Sequence, residues 1–383
     1  MAIPEISKSD VLAAIARVDR EGVPDERRST RYVLVYKGRR YPPKYIVSLA
    51  VENATGRPLP PNQFGGGVET NGVLRSLGFS VDAVVREAAD PEVDGGERRP
   101  VGPVGSLGGS KEVCIVRVVV MGEPAGPETA ERVLFEALTQ QWPKGVRSRF
   151  LLTPGGFAAV PFPDSYRGGT GWTSPPEALG HLSAYAQEAL ARVLSERVLR
   201  AAVERTSTIT VGIDLVGDVR PEHAELVAVY DVARKTAVWT GKSYPTEDQA
   251  KTLVHITDLG THFRELSGER VALLGCHDLN VFNPRGWATQ DPAGVRRVRC
   301  SEMRRRMKAF RPTVVLQHPH STDSPNIWRN AWGVLIGQVP SVKAWASGIA
   351  YCRRDDAPRA TPEEVLRETK GGADCVDLCV RLP

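Results

Sequence analysis

A cysteine delivered to the end of a buried strand can act as a nucleophile, and Cys276 stands in such a place. The apolar run Val271–Leu274 leads to it, and Gly275 beside it leaves room for a substrate to approach. Upstream, the segment GKSYPTEDQ carries Lys242 and, five residues on, Glu247. A lysine close to a thiol lowers the thiol pKa and stabilises an oxyanion, and a glutamate can orient that lysine or handle protons. An inert core cysteine fits the same apolar run. A second group is rich in histidine. His277 and Asp278 follow the cysteine, and His318, His320 and Asp323 follow the strand in RPTVVLQHPH. Histidines and carboxylates at neighbouring strand ends can ligate a divalent metal or shape a pocket by hydrogen bonding. The second use is preferred here, so no metal and no cofactor is expected.

These side chains need strands to carry them. KEVCIVRVVVMG predicts a strand over 112–121, and GPETAERVLFEALTQQW a helix with Val133, Leu134 and Leu138 on one face. SRFLLTPGGFAAVP reads as a strand ending in a Pro-Gly-Gly turn. One or two helices follow, then strands over 208–215, 225–231 and 235–240, the Cys276 strand and the strand in RPTVVLQHPH. Helices alternating with apolar strands indicate an α/β or layered α+β enzyme fold, with chemistry just past the strand ends. Trp287, Trp328, Trp332 and Trp345 are read as packing residues, and the basic run Arg296–Lys308 as a helix face.

Residues 86–112 are rich in Gly, Pro and charge and lack hydrophobic periodicity, so they divide the chain into residues 1–85, a linker at 86–112, and residues 113–383. The small part opens with a helix capped by Ser9, its stripe formed by Val11, Leu12, Ile15 and Val18. A strand over Tyr32–Tyr36, a turn at Lys37-Gly38 and a Pro-led helix over 43–53 come next, then a glycine loop, a short helix over Leu74 and Leu77, and a last strand. Seven basic residues (Arg27, Arg28, Arg31, Lys37, Arg39, Arg40 and Lys44) fall in this part without an acid among them. They are interleaved with Tyr32, Tyr36, Tyr41 and Tyr45. Cations for phosphates beside rings that stack on bases make a nucleic-acid surface, and a solvated basic face is the other reading.

Composition sets the class. Of 383 residues 41% are hydrophobic and 25% charged, as in globular proteins, and no apolar run is long enough to span a membrane. The N-terminus lacks a signal pattern, and six cysteines without a CxxC pair argue against a zinc site or a disulfide framework, so a cytoplasmic setting is expected. The net charge of +5 permits a nucleic-acid partner without requiring one.

Two resemblances sharpen these readings. The string RYVLVYKGRRYPPKYIVSLA…FGGGVETNGVLRSLGF resembles the N-terminal head domain of McrA-type, modification-dependent restriction endonucleases, which implies a module that accompanies effectors acting on foreign nucleic acid. ELVAVYDVARKTAVWTGKSYPTED…FRELSGERVALLGCHDL resembles the middle of a nitrilase-superfamily, or carbon–nitrogen hydrolase, domain. That resemblance implies an αββα sandwich over about 112–383, with Lys242 as catalytic lysine, Glu247 as second glutamate and Cys276 as nucleophile. It also implies a glutamate general base after the first strand-and-helix unit, but the segment reads LLTPGGF and Gly155 stands in its place. Three explanations are open: His277, His318, His320 or Asp164 replaces that base, the resemblance is misaligned in this segment, or hydrolysis has been lost and binding kept. The expected whole is thus a small α+β head domain before a large α+β, nitrilase-like domain, in a defence-type protein. Its expected partners are DNA at the head, a small-molecule amide or nitrile substrate and a second copy of the chain, with no membrane. The alternatives are a binding module, or a metal-dependent hydrolase or nuclease using His277, Asp278, His318, His320 and Asp323.

Overall fold

The computed structural model describes residues 3–24, 32–57, 59, 68–83, 111–122, 126–217, 222–244, 248–283, 294–320, 325–351, 360–372 and 374–382. Contacts divide the chain into two compact units, Met1–Val104 and Gly105–Pro383. Of the expected linker, residues 86–110 lie outside the described residues, and Lys111 and Glu112 already belong to a strand.

In the small unit, helix α1 (Lys8–Glu21) is capped by Ser7 and not by Ser9. The Ser7 hydroxyl accepts from the Asp10 amide, and the Asp10 carboxylate accepts from the Ser7 amide. Ser7 wins because the residue three places on is an acid that can return the bond, whereas Ser9 has Leu12 there. Val11, Ala14, Ile15 and Val18 are the buried stripe. Strand β1 (Tyr32–Tyr36) turns at Lys37-Gly38 into β2 (Arg39–Tyr41). Both turn residues have positive φ, 48° and 77°, the geometry that matches the twist of a two-residue hairpin. Helices α2 (Pro43–Thr55) and α3 (Val68–Ser76) follow, and β3 (Ser80–Ala83) pairs with β1. Leu34, Ile46, Val47, Ala50 and Leu74 lie at the centre of this unit's core.

The large unit contains two sheets. In the first, β4 (Lys111–Met121), β5 (Val146–Leu152) and β7 (Thr206–Val216) run parallel, and β8 (His223–Asp231) and β9 (Thr236–Gly241) continue antiparallel. Strands β14 (Ile349–Tyr351) and β16 (Cys375–Arg381) pair with β4, and β6 (Ala158–Pro161) with β7. The second sheet has the order β10 (Phe263–Leu266), β11 (Glu269–Leu274), β12 (Val314–Gln317), β13 (Ala344–Ser347) and β15 (Lys370–Gly372).

The period-2 alternation of β11 shows how the layers form. Val271 and Leu273 meet Ile115, Phe150, Leu152, Val227 and Val229 of the first sheet. Ala272 and Leu274 point the other way, into a core with helices α7 (Val295–Phe310) and α8 (Pro325–Gln338). The far face of the first sheet is covered by α4 (Pro127–Glu136), α5 (Ala178–Val193) and α6 (Glu196–Ala202). The result is a four-layer αββα sandwich, as the sequence resemblance implied.

Two readings of helices change. Helix α7 is more than a solvated basic face: Arg299 donates to the Ile256 and Thr257 carbonyls, Arg304 to that of Val281, and Arg305 and Arg306 pair with Glu302. Helix α4 runs on into a π turn over Ala137–Gln141, which no local pattern announced. Trp332 stacks on Trp345 with ring centroids 4.5 Å apart and Trp328 is buried, as packing residues should be; Trp287 lies outside the described residues.

Candidate active site

Five strand ends meet at one place. Strands β11 and β12 lie parallel with Leu274 level with Gln317, so the residues just beyond them, Cys276 and His320, come to the same end of the second sheet. In the first sheet the antiparallel pairing of β7 and β8 sets Asp214 opposite Glu225. Lys242, just past β9, is tied to β8 by its amide, which donates to the Glu225 carbonyl at 2.9 Å. Like charges directly opposite on paired strands repel, so Asp214 and Glu225 need cations. His320 and Lys242 supply them. His320 Nε2 lies 2.6 Å from Asp214 Oδ2, and its Nδ1 lies 3.5 Å from Glu225 Oε2. Lys242, with no exposed side chain, donates from Nζ to Glu225 Oε1 at 2.7 Å and to Gln249 Oε1 at 2.5 Å. The sulfur of Cys276, a Glu225 oxygen and a His320 nitrogen lie within 4.8 Å of one another.

The electrostatics follow from this packing. Burial alone would push the Cys276 thiol up. His277 and His320, both within hydrogen-bonding reach of it, overcome burial and bring it down to about 5. Burial would lower His320, yet Asp214, Glu225 and Cys276 hold it well above its ordinary value. Burial also opposes the charges of Glu225 and Lys242. His320 and Lys242 nevertheless take Glu225 down to about 2, and Glu225 and Cys276 raise Lys242. A thiolate beside an imidazolium, with an ammonium–carboxylate pair alongside, is an arrangement suited to nucleophilic attack.

Asp278 has a different task. Its Oδ1 accepts from the Ser243 and Tyr244 amides (2.9 and 2.7 Å) and its Oδ2 from the Gly275 amide (2.7 Å), so it clamps the loop after β9 to the loop after β11. Gly275 is required by that clamp: a β-carbon there would stand 2.8 Å from Lys242 Cα. The room the sequence suggested for a substrate is thus filled by the Lys242 backbone. His277 is half-buried with its ring tilted against Trp328. His318 is buried, its Nδ1 3.3 Å from the Leu274 carbonyl, and burial pushes it down to about 4. Asp164 is exposed on the turn after β6. Glu247 and Asp323 lie outside the described residues. Among the described residues the group spaced to hold a metal is Glu225, Cys276 and His320, not the set of His277, Asp278 and His318. In it, Lys242 already binds the carboxylate and Asp214 the imidazole.

The position of the expected glutamate is closed. A β-carbon on Gly155 would overlap the His318 carbonyl oxygen, and the Gly155 amide donates to the Pro319 carbonyl at 3.0 Å. Gly156, at φ 58°, leaves just enough space for the pair beside it, since a β-carbon there would lie 2.9 Å from Asp214 Oδ2 and from His320 Cδ2. The sequence reading missed Asp214, Glu225 and Gln249. The available signal was an acid within each of the apolar strands TITVGIDLV and ELVAVYD, because a buried carboxylate must be paired.

In the small unit, Lys37, Arg39 and Arg40 are exposed on the β1–β2 hairpin, and Lys44 is half-buried at the start of α2. Arg39 pairs with Asp19 at 3.0 Å. Tyr41 is turned inward as part of the core, its hydroxyl donating to Asp19, and Tyr32, Tyr36 and Tyr45 pack against the same core. The interleaved rings therefore serve packing. Arg27, Arg28 and Arg31 lie outside the described residues.

This unit can be placed by its sequence. Residues 4–83 match the family model of the ScoMcrA-like, N-terminal head domain. The head domain covers the small unit's described elements from α1 to β3. No curated protein matches the chain. Among solved structures, the chain is similar to a variant of a nitrilase-superfamily amidase from Nesterenkonia AN1. Identity is 15%, coverage is 65% of this chain and 79% of that one, and the TM-score is 0.37. It is also similar to an amidase from Nesterenkonia sp. at 16% identity, with 65% and 79% covered and a TM-score of 0.36. A variant of the Nesterenkonia sp. AN1 amidase in complex with butyramide gives 14% identity, 62% and 77% covered, and a TM-score of 0.36.

Proposed function

We propose that the large unit hydrolyses an amide or nitrile C–N bond through an acyl-enzyme on Cys276, and that the head domain is the part that senses nucleic acid or another cue in a defence-type protein. The observation that carries the first part is the convergence of the buried Cys276 thiol with Glu225 and His320, their ligand atoms within 4.8 Å of one another, and with Lys242 2.7 Å from Glu225; in that setting the thiol is brought down to about 5. Lys242, held by Glu225 and Gln249, is the cation placed to steady negative charge that develops on the substrate. Among the described residues, Asp214 Oδ1 and His277 Nδ1 are buried without hydrogen-bond partners, and Glu225 Oε2 has no hydrogen bond, only the ion-pair contact of 3.5 Å to His320 Nδ1. Buried polar atoms left so are suited to a polar ligand. No role is assigned to Glu247. The head's part rests on its match over residues 4–83 and on the exposed Lys37 and Arg40 of its hairpin.

Alkylation of the native protein by iodoacetamide at pH 7, followed by peptide mass spectrometry, tests the thiol. Burial pushes Cys114, Cys300 and Cys375 up to about 11 and raises Cys379, so these react slowly, whereas Cys276 is expected to be modified first. A Cys276 that stays unmodified until denaturant is added would overturn the reading and leave the pocket as a binding site.

A further inference from the structure

We infer that His320, held by Asp214, is the acid–base partner of Cys276 and takes over the task for which position 155 offers no side chain. The inference rests on the reading of Cys276 as a nucleophile. Three observations support it. First, residue 155 cannot carry a side chain, because its β-carbon would overlap the His318 carbonyl. The same His318–Pro319 backbone that closes this position leads directly to His320, so one segment blocks a carboxylate and delivers an imidazole. Second, His320 is oriented. Its Nε2 is fixed on Asp214 Oδ2 at 2.6 Å, so Nδ1, which lies 3.5 Å from Glu225 Oε2, is the nitrogen turned to the group that includes the Cys276 sulfur and the one to exchange a proton with the thiol. Among the described residues, no carboxylate forms a hydrogen bond or ion pair with His277, the other histidine within reach of the sulfur, and its Nδ1 has no hydrogen-bond partner. Third, Gly156 keeps the space beside this pair open, since a β-carbon there would press on both Asp214 and His320.

The chemistry balances with these groups alone. The Cys276 thiolate attacks the carbonyl carbon of a carboxamide and a C–S bond forms. As the C–N bond breaks, the His320 imidazolium gives its proton to the leaving nitrogen, which departs as an amine or ammonia. Water then attacks the thioester. One of its protons goes to the neutral imidazole and the carboxylic acid leaves, which restores the thiolate and the imidazolium. Asp214 keeps its contact with His320 Nε2 throughout and acts as a positioning residue.

The test is the pH dependence of Cys276 alkylation by iodoacetamide, in the full chain, for wild type, His320→Gln and Asp214→Asn. The charged and titratable groups around the imidazole are Asp214 from β7, Glu225 from β8, Lys242 behind Glu225, and Cys276 and His277 from the loop after β11. Asp214→Asn keeps shape and volume, and tryptophan emission reports that each variant is folded. Wild type is expected to titrate at low pH. In His320→Gln the midpoint should rise and the rate at pH 6 should fall about tenfold, the loss of thiolate being partly offset by the greater nucleophilicity of a more basic thiolate. Asp214→Asn should move the midpoint the same way by a smaller amount, which a merely structural role for Asp214 would not do. Midpoints unchanged in both variants, with wild-type Cys276 still reactive at low pH, would overturn the inference and assign the thiolate to His277. A wild-type Cys276 that does not react at low pH would instead defeat the nucleophile reading on which the inference stands.

Discussion

Lys242 illustrates how a single residue holds this site together at some risk to stability. An ammonium with no exposed surface is tolerated because Glu225 and Gln249 meet it directly. Removing one partner of such a pair leaves the other charge buried and uncompensated, at a typical cost of about 3–5 kcal/mol, whereas removing both can be nearly neutral. Lys242→Met is therefore expected to lower the unfolding free energy by about that amount, and Lys242→Met with Glu225→Gln to recover part of it. Urea unfolding read by tryptophan emission checks this, because all seven tryptophans lie in the large unit, from Trp142 onward. Equal stability of wild type and the single variant would mean that the pair is solvated. At this scale the sequence showed Cys276, Lys242 and His320 by type and by position after strands. It could not show Asp214 and Glu225, because an acid in a strand reads as solvent-facing until the neighbouring strand and its register are known. The pairing of Asp214 with Glu225 is a tertiary fact.

At the scale of elements, local pattern and tertiary packing divide the information differently. Strand β1 and its two-residue turn were legible to the residue, because Lys-Gly interrupts a run of β-branched and aromatic residues, YVLVY, with a glycine that accepts positive φ. Which face of the hairpin points inward was not. Tyr41 looked like a ring for stacking and is instead a core residue bonded to Asp19, which also ties down Arg39. That geometry ranks the hairpin's cations. Lys37 and Arg40 are exposed, whereas Arg39 is already partnered by a carboxylate. If the head domain binds duplex DNA, Lys37→Ala and Arg40→Ala should each reduce the slope of log affinity against log salt by about one unit. Arg39→Ala should change it less, since Asp19 neutralises that charge in the free protein. Fluorescence anisotropy with a labelled duplex over a salt series measures these slopes. Slopes unaffected by Lys37→Ala and Arg40→Ala would remove the hairpin from any nucleic-acid surface.

The large unit as a whole buries several histidines without letting them ionise, and this gives its stability a direction with pH. Burial pushes His255 down to about 3, with Arg299 and Lys242 adding to the effect, and pushes His318 down to about 4. In the unfolded chain both take up a proton near 6.5. A folded value below the unfolded one means that the unfolded chain binds the extra proton between the two. Stability is then complete above pH 6.5 and falls as the pH drops, by roughly 1.4 kcal/mol per pH unit for each histidine. The His318 contribution stops growing near pH 4 and that of His255 near pH 3. His320 does not offset this loss. Its folded value is raised, so its contribution is complete below pH 6.5 and disappears only as the pH rises through the folded value. Glu225, taken down to about 2, stabilises above about pH 4.5 and loses that contribution as the pH falls towards 2, which steepens the acid limb. The urea midpoint of the large unit should therefore decline steadily from pH 6.5 to pH 4 in tryptophan emission. His318→Asn should decline with a slope smaller by one proton. A midpoint that stays flat between pH 7 and pH 5 would show that His255 and His318 reach solvent or a counter-ion in the folded protein.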